Sequence, residues 1–185
     1  MFTTREQLIK RTGKNGVGRF EFLEQLVNEF QGTNSFEAKI QVLANLANFA
    51  YDPINYEYLR QLKVIDIFLD ELSKTQSPLI QFAIAGLCNL ALDTENKEYI
   101  IHCNGVHIIS SYLASPEEEV VVSAITTLMF LVTPESKPVI TAPEIVDCML
   151  QFLTSSSTRV RNLATVFLDD YCTEEQLKAA KKKLS

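Results

Sequence analysis

The chain has 185 residues, 46% of them hydrophobic and 22% charged, a length and balance that fit one folded domain and exclude a disordered protein. Its net charge of −6 hides an asymmetry: residues 1–19 hold five basic side chains against Glu6 and residues 178–185 four lysines and no acid, so residues 20–177 carry −14. A body that acidic repels phosphate at long range, which disfavours wrapping a nucleic-acid duplex and favours basic partner surfaces.

Met1–Lys10 (MFTTREQLIK) is charged and lacks an apolar core, so no secretory leader is expected. With the Gly-rich stretch 11–18 (RTGKNGVG) it reads as a flexible basic segment, residues 1–18. From Arg19 to Gln31 the apolar positions 20, 23, 26, 27 and 30 recur at the spacing of one helical face and predict an N-terminal cap helix. Two copies of one phrase follow, VLANLANFAYDPINYEYL at 42–59 and AIAGLCNLALDTENKEYI at 83–100, so Asn48 matches Asn89 at a distance of 41 residues. A third copy, SAITTLMFLV at 123–132, keeps the register, with Leu128 standing 41 residues after Leu87 and Leu87 41 after Leu46. A fourth begins at Thr158 with RNLATVFLDDY and lacks a second half. Leu46, Leu87 and Leu128 are expected in the core, beside Ala47, Ala50, Ala83, Ala91 and Ala124, where helices must approach closely.

Turns fall at YDP (51–53), LDTEN (92–96) and VTPES (132–136). Asn104-Gly105 predicts a sharp bend between helices with positive φ at the glycine, while its counterparts Lys63-Val64 and Pro143-Glu144 have no glycine and must bend otherwise. Ser77-Pro78 and Ser115-Pro116 place a capping hydroxyl before a proline at the first helical position. Ser115 to Glu118, Thr141 to Glu144 and Thr173 to Gln176 have capping-box spacing. A period of about 40 residues built of helical segments marks a repeat array, in which one unit cannot bury its own apolar face. Function is therefore sought on a surface formed by stacked units.

Chemistry inside a pocket finds little support. His102 and His107 flank a turn, and neither H-E-x-x-H nor G-x-S-x-G occurs. The run Gly13–Gly18 spells G-x-x-G-x-G, which is neither the dinucleotide nor the Walker pattern. Cys88, Cys103, Cys148 and Cys172 lack paired spacing, so free, mostly buried thiols in a reducing compartment are expected, with no metal and no cofactor. The longest uncharged run, Tyr99–Pro116, contains His102, Asn104, Gly105 and His107 and is no membrane span.

The stretch AIAGLCNLALDTENKEYIIHCNGV resembles the armadillo repeat, with its A-x-x-A-L-x-N-L-A pattern followed by E-N-K and a glycine-containing turn. The resemblance implies an all-α, right-handed superhelix of about three and a half repeats with an N-terminal cap helix, spanning residues 19–177 between the basic segment 1–18 and a basic helix end at 178–185. In that family the third helices line a concave groove and the asparagine of L-x-N-L-A reaches the backbone of an extended peptide. Carried over, those positions are Asn48 and Asn89, with Phe130 at the equivalent place in the third unit and Asp169 near it in the fourth. Helical spacing adds Ala44, Asp52, Phe82, Ala85, Asp93 and Thr126 to the same face. On this reading, replacing Asn48 and Asn89 with alanine weakens partner capture without loss of thermal stability. The competing reading has both asparagines bridging neighbouring helices internally, and Phe82 and Phe130 packing in the core.

Import receptors of the family hold tryptophans where Ala44 and Ala85 stand, so recognition of nuclear localisation signals is disfavoured. A closer resemblance within the family is carried by VLANLANFAYDP with NYEYLRQL, then SAITTLM and RNLA, over about Phe20 to Cys172. It is to a member understood as the partner of RNA-binding motif protein 48 in the minor spliceosome. It implies a non-catalytic scaffold in the nucleus that binds an RNA-recognition-motif protein within a larger spliceosomal assembly and meets RNA mainly through that partner, with no membrane role. The alternative is direct RNA contact through the ends, with Arg5, Lys10, Arg11, Lys14, Arg19, Lys178, Lys181, Lys182 and Lys183 against phosphate; solvated ends explain the same charges. An enzyme is a distant third.

Overall fold

The helical periodicities become helices in the computed structural model, which describes residues 2–12, 16–74 and 78–183. No strand occurs among those residues, and the chain divides into two units, residues 1–99 and 100–185.

In the first unit the helices are α1 (Arg5–Thr12), α2 (Arg19–Gly32), α3 (Phe36–Phe49), α4 (Tyr56–Gln61), α5 (Val64–Leu72) and α6 (Leu79–Leu90), with a 3₁₀ turn at Pro53–Asn55. The expected cap helix is α2, which buries Leu23, Val27 and Phe30 and packs on α3. Helix α3 packs in turn on α6, and α5 packs on α6. Leu46, Leu87 and Ala83 are fully buried, as the 41-residue register requires of a shared core layer. Gly86 permits the tight α5–α6 contact, because a Cβ there would enter the ring of Phe68, itself fully buried.

The flexible segment expected over 1–18 contains a helix. Thr4 and Gln7 form a reciprocal cap at the start of α1: the Thr4 N–H donates to Gln7 Oε1 at 3.0 Å and the Gln7 N–H to Thr4 Oγ1 at 3.2 Å. Leu8 is buried on the inner side of this helix while Ile9 stays exposed. One buried side chain among the described side chains of α1 is too thin a pattern for periodicity to detect.

In the second unit α7 (Thr94–His102), which begins in the first, is followed by α8 (Gly105–Ser110), a 3₁₀ turn at Ser111–Ala114, α9 (Glu118–Phe130), α10 (Lys137–Ile140), α11 (Pro143–Phe152), α12 (Thr158–Tyr171) and α13 (Glu174–Lys183). Helix α9 packs on α12, α12 on α11, and α13 on α11. Leu128 and Ala124 are fully buried in α9. Val120 and Val121, the first buried residues of that helix, explain the β-branched run at its start.

The bends correct one expectation. Positive φ falls on Asn104 (59°) rather than on Gly105, and Lys63 (54°) does the same work 41 residues earlier, so the two turns are alike despite their different residues. Gly105 is needed for space: a Cβ there would lie 2.6 Å from the Ile100 carbonyl oxygen. The third turn uses a different geometry, with Ala142 extended (ψ 150°) and Pro143 opening α11.

Capping was partly misplaced. Of the three expected boxes, Thr173 and Gln176 form one, donating to each other at 2.9 and 3.3 Å. Ser115 instead accepts from the Glu117 N–H, one residue ahead of α9, and Thr141 Oγ1 donates to the Lys137 carbonyl. Ser77 lies outside the described residues, and Pro78 stands one position before α6 rather than at its first residue. Ser35 and Ser157 supply the side-chain caps of α3 and α12.

A lysine held in the left-handed region is strained, because its Cβ crowds the following carbonyl, and glycine removes that penalty. Lys63→Gly is expected to raise stability by about 1 kcal/mol in urea denaturation. Asn104→Gly should gain less, since asparagine tolerates that conformation.

Candidate partner-binding wall

A helix that ends leaves its last carbonyls without intrahelical donors, and the sequence of the first unit supplies side chains to meet them. In the last turn of α3 the Tyr51 N–H bonds the Asn48 carbonyl, bypassing that of Ala47. Asn89 Nδ2 donates to the Ala47 oxygen at 3.2 Å, reaching from α6 to α3. The carbonyl of Asn89 in turn accepts the Tyr56 hydroxyl at 3.1 Å. Burial first, then the negative charges of Asp93 and Asp52, push the Tyr56 phenol above its ordinary pKa, so it stays protonated and a donor. Asn55 Nδ2 donates to the Phe49 carbonyl at 2.8 Å.

Asp93 is held just as firmly. Its Oδ1 accepts the Asn96 N–H at 3.1 Å, capping the start of α7, and pairs with Arg60 Nη1 at 2.7 Å. The same Nη1 reaches Asn96 Oδ1 at 2.7 Å, and Nη2 pairs with Glu95 at 3.1 Å. Asp52 directs Oδ1 to the Ile54 N–H at 3.4 Å and Oδ2 to the Thr3 N–H at 3.0 Å. Asp52 and Asp93, the two acids expected on this face in the first unit, are therefore engaged within the unit.

The first-unit residues of the expected groove are brought together on the paired helices α3 and α6. Asn48 is exposed in the last turn of α3, with Ala44 half-buried one turn before it and no hydrogen-bond partner for its side chain among the described residues. Phe82, Ala85 and Asn89 are half-buried along α6. Asn48 is thus exposed while Asn89 bridges two helices, so the two copies of one motif differ in their surroundings. The remaining expected positions lie in the second unit: Thr126 Oγ1 donates to the Val122 carbonyl at 2.8 Å, Phe130 is half-buried at the end of α9, and Asp169 is exposed on α12.

Of the basic residues, Arg5 and Arg19 line one cavity beside α1. Arg5 and Lys10 are exposed on α1, whereas Arg19 lays its guanidinium 4.7 Å from the Phe49 ring centre. Lys178 pairs with Glu174 at 3.0 Å, and Lys181 and Lys182 are exposed on α13. Lys14 and the side chains of Arg11 and Lys183 lie outside the described residues.

Tyr56, Arg60 and Asn96 were missed by the sequence reading. A signal existed, since Asn55 and Asn96 stand 41 residues apart and both tie a helix start to its neighbours. The four cysteines are free thiols, half-buried rather than buried, and burial raises the pKa of Cys148 and Cys172, which makes them poor nucleophiles.

No family model matches the chain. It is 55% identical over 166 residues to the mouse protein armadillo repeat-containing protein 7, covering 89% of this chain and 84% of that protein. Among solved structures it resembles a computationally designed armadillo repeat protein for modular peptide recognition, with a TM-score of 0.74, 17% identity, and 86% of this chain and 69% of that one covered. A designed armadillo repeat protein in complex with the peptide (KR)4 superposes with a TM-score of 0.69 at 16% identity, covering 86% of this chain and 69% of that one. At such low identity these likenesses bear on the fold alone, and the fold is the armadillo type.

Asn89→Ala leaves the Ala47 carbonyl without its donor and is expected to cost about 1–2 kcal/mol, read as a lower urea midpoint. Asn48→Ala should stay within about 0.5 kcal/mol of the parent chain, as surface substitutions do. Equal losses in the two variants would mean that Asn89 does not bridge the helices.

Proposed function

This chain belongs to the armadillo repeat-containing protein 7 family, and from that premise we propose that it is a nuclear, non-catalytic subunit of the minor spliceosome that captures RNA-binding motif protein 48, or a similar RNA-recognition-motif protein. The contact runs along the α3–α6 pair of the first unit. The observation that carries this reading is the exposed Asn48 amide, which makes no side-chain hydrogen bond among the described residues, while its copy Asn89 is engaged internally. A carboxamide offers a donor and an acceptor together, so it holds a main chain whatever its side chains. Half-buried Phe82 offers an apolar contact on the neighbouring helix.

Charge favours the same class of ligand. The −14 carried by residues 20–177 attracts a basic segment and slows the approach of bare RNA. A designed protein of this fold was solved with (KR)4, a basic peptide, which fits that logic. RNA then reaches the assembly through the partner's own RNA-recognition motif. The alternative, RNA held directly by the termini, calls for free basic side chains, and Arg19 and Lys178 already contact Phe49 and Glu174.

The test is calorimetric titration of the full chain with RNA-binding motif protein 48, before and after ribonuclease treatment. Asn48→Ala should weaken binding about five- to tenfold, the loss of roughly one hydrogen bond, with the melting temperature unchanged. Unaltered affinity in Asn48→Ala removes the wall as the contact. Binding that disappears with ribonuclease transfers the role to the termini.

A further inference from the structure

Residues 2–4 lead into α1 and lie against the turn that follows α3. The Thr3 N–H donates to Asp52 Oδ2 at 3.0 Å, and the Phe2 ring lies against Tyr51 with centroids 5.7 Å apart and planes tilted by 52°. Both rings remain largely open to solvent, Phe2 at 52% and Tyr51 at 65%. Asp52 is aimed by its other oxygen, which caps the 3₁₀ turn through the Ile54 N–H. The arm is delivered to this corner by α1, whose start is set by the Thr4–Gln7 pair and whose Leu8 is buried.

The pattern is that of a main-chain N–H received by a side-chain acceptor, with an aromatic ring as its neighbour. An oriented carboxylate takes a main-chain N–H, and an exposed tyrosine takes the preceding side chain. Asn48 precedes Asp52 by four residues. We propose that the Tyr51–Asp52 corner is a docking site for an extended segment bearing an aromatic residue followed by a backbone N–H, that Phe2–Thr4 fills it in the free chain, and that a partner segment of the same pattern displaces them. This deepens the reading of α3 as a partner wall, and its last step rests on that reading.

The arrangement suits exchange. Among the described residues one charge-assisted hydrogen bond and one open ring contact hold Phe2 and Thr3, so an incoming segment that also reaches Asn48 makes a further contact. A site that is mostly filled by its own chain shows an affinity reduced by the fraction of time it stands open.

The probe is a fluorescein-labelled peptide of the chain's first twelve residues, MFTTREQLIKRT, titrated by polarisation against the full-length chain. With Phe2→Ala in the chain, the peptide should bind about five- to tenfold more tightly than to the parent, whose corner is self-filled. Tyr51→Ala and Asp52→Asn should each abolish that gain; Tyr51 is exposed, so its replacement leaves the fold intact, and circular dichroism checks both. A peptide carrying alanine in place of phenylalanine should not bind. Equal peptide affinity for the parent and Phe2→Ala chains, or indifference to Tyr51→Ala, overturns the docking site. RNA-binding motif protein 48 measured in parallel should gain by the same factor in Phe2→Ala. If it binds every chain equally, displacement by the partner is overturned while the corner stands; if it binds none, the proposed function fails and the peptide result still decides the corner.

Discussion

Unpaired carbonyls at the ends of the long helices are the constraint around which the rest of the first unit is organised. A helix cannot satisfy its own last turn, and a buried oxygen without a donor costs more than a typical hydrogen bond contributes. Here the donors come from neighbouring helices: Asn89 serves Ala47, Tyr56 serves Asn89, and Asn55 serves Phe49. Each bond fixes one helix end against another, so polar satisfaction and repeat register are one requirement. The apolar layer of Leu46, Leu87 and Ala83 supplies the cohesion, and these bonds set where along α3 the helix α6 must stop.

The same constraint decides which polar groups are left for a partner. Helix α3 is the first of the long third helices, preceded by the cap helix α2, so no earlier third helix offers Asn48 a carbonyl at the place where Asn89 finds Ala47. Position in the array thus frees one asparagine and commits its copy. Asp93 is withdrawn in the same manner by Arg60 and by the start of α7, and Asp52 by Ile54 and Thr3. The Asn48 amide stays exposed on α3 and Phe82 half-buried on α6, while the Tyr51–Asp52 corner is met by Phe2 and Thr3.

Much of the fold was legible because it depends on spacing. The 41-residue register located the fully buried leucines in both units and the cap helix to within a residue. The bends were not legible, since nothing in a lysine announces a left-handed backbone; Lys63 takes it because the turn demands it, and Gly105 drew attention for the wrong property. Helix α1 escaped because a single buried leucine makes no period. For the site, motif matching found Asn48 and Asn89 together and could not separate them, because identical residues in a repeat differ only in what their neighbours leave unsatisfied. Arg60 was invisible for the same reason, its partners lying more than thirty residues away along the chain.

The central claim is that these two asparagines, equal in sequence, are unequal in bonding. The most direct measurement is hydrogen exchange of their side-chain amides by nitrogen-edited NMR on the free chain. One Nδ2 proton of Asn89 should exchange more slowly than those of Asn48, which should exchange at the rate of an exposed amide. Indistinguishable exchange at the two positions would contradict the account.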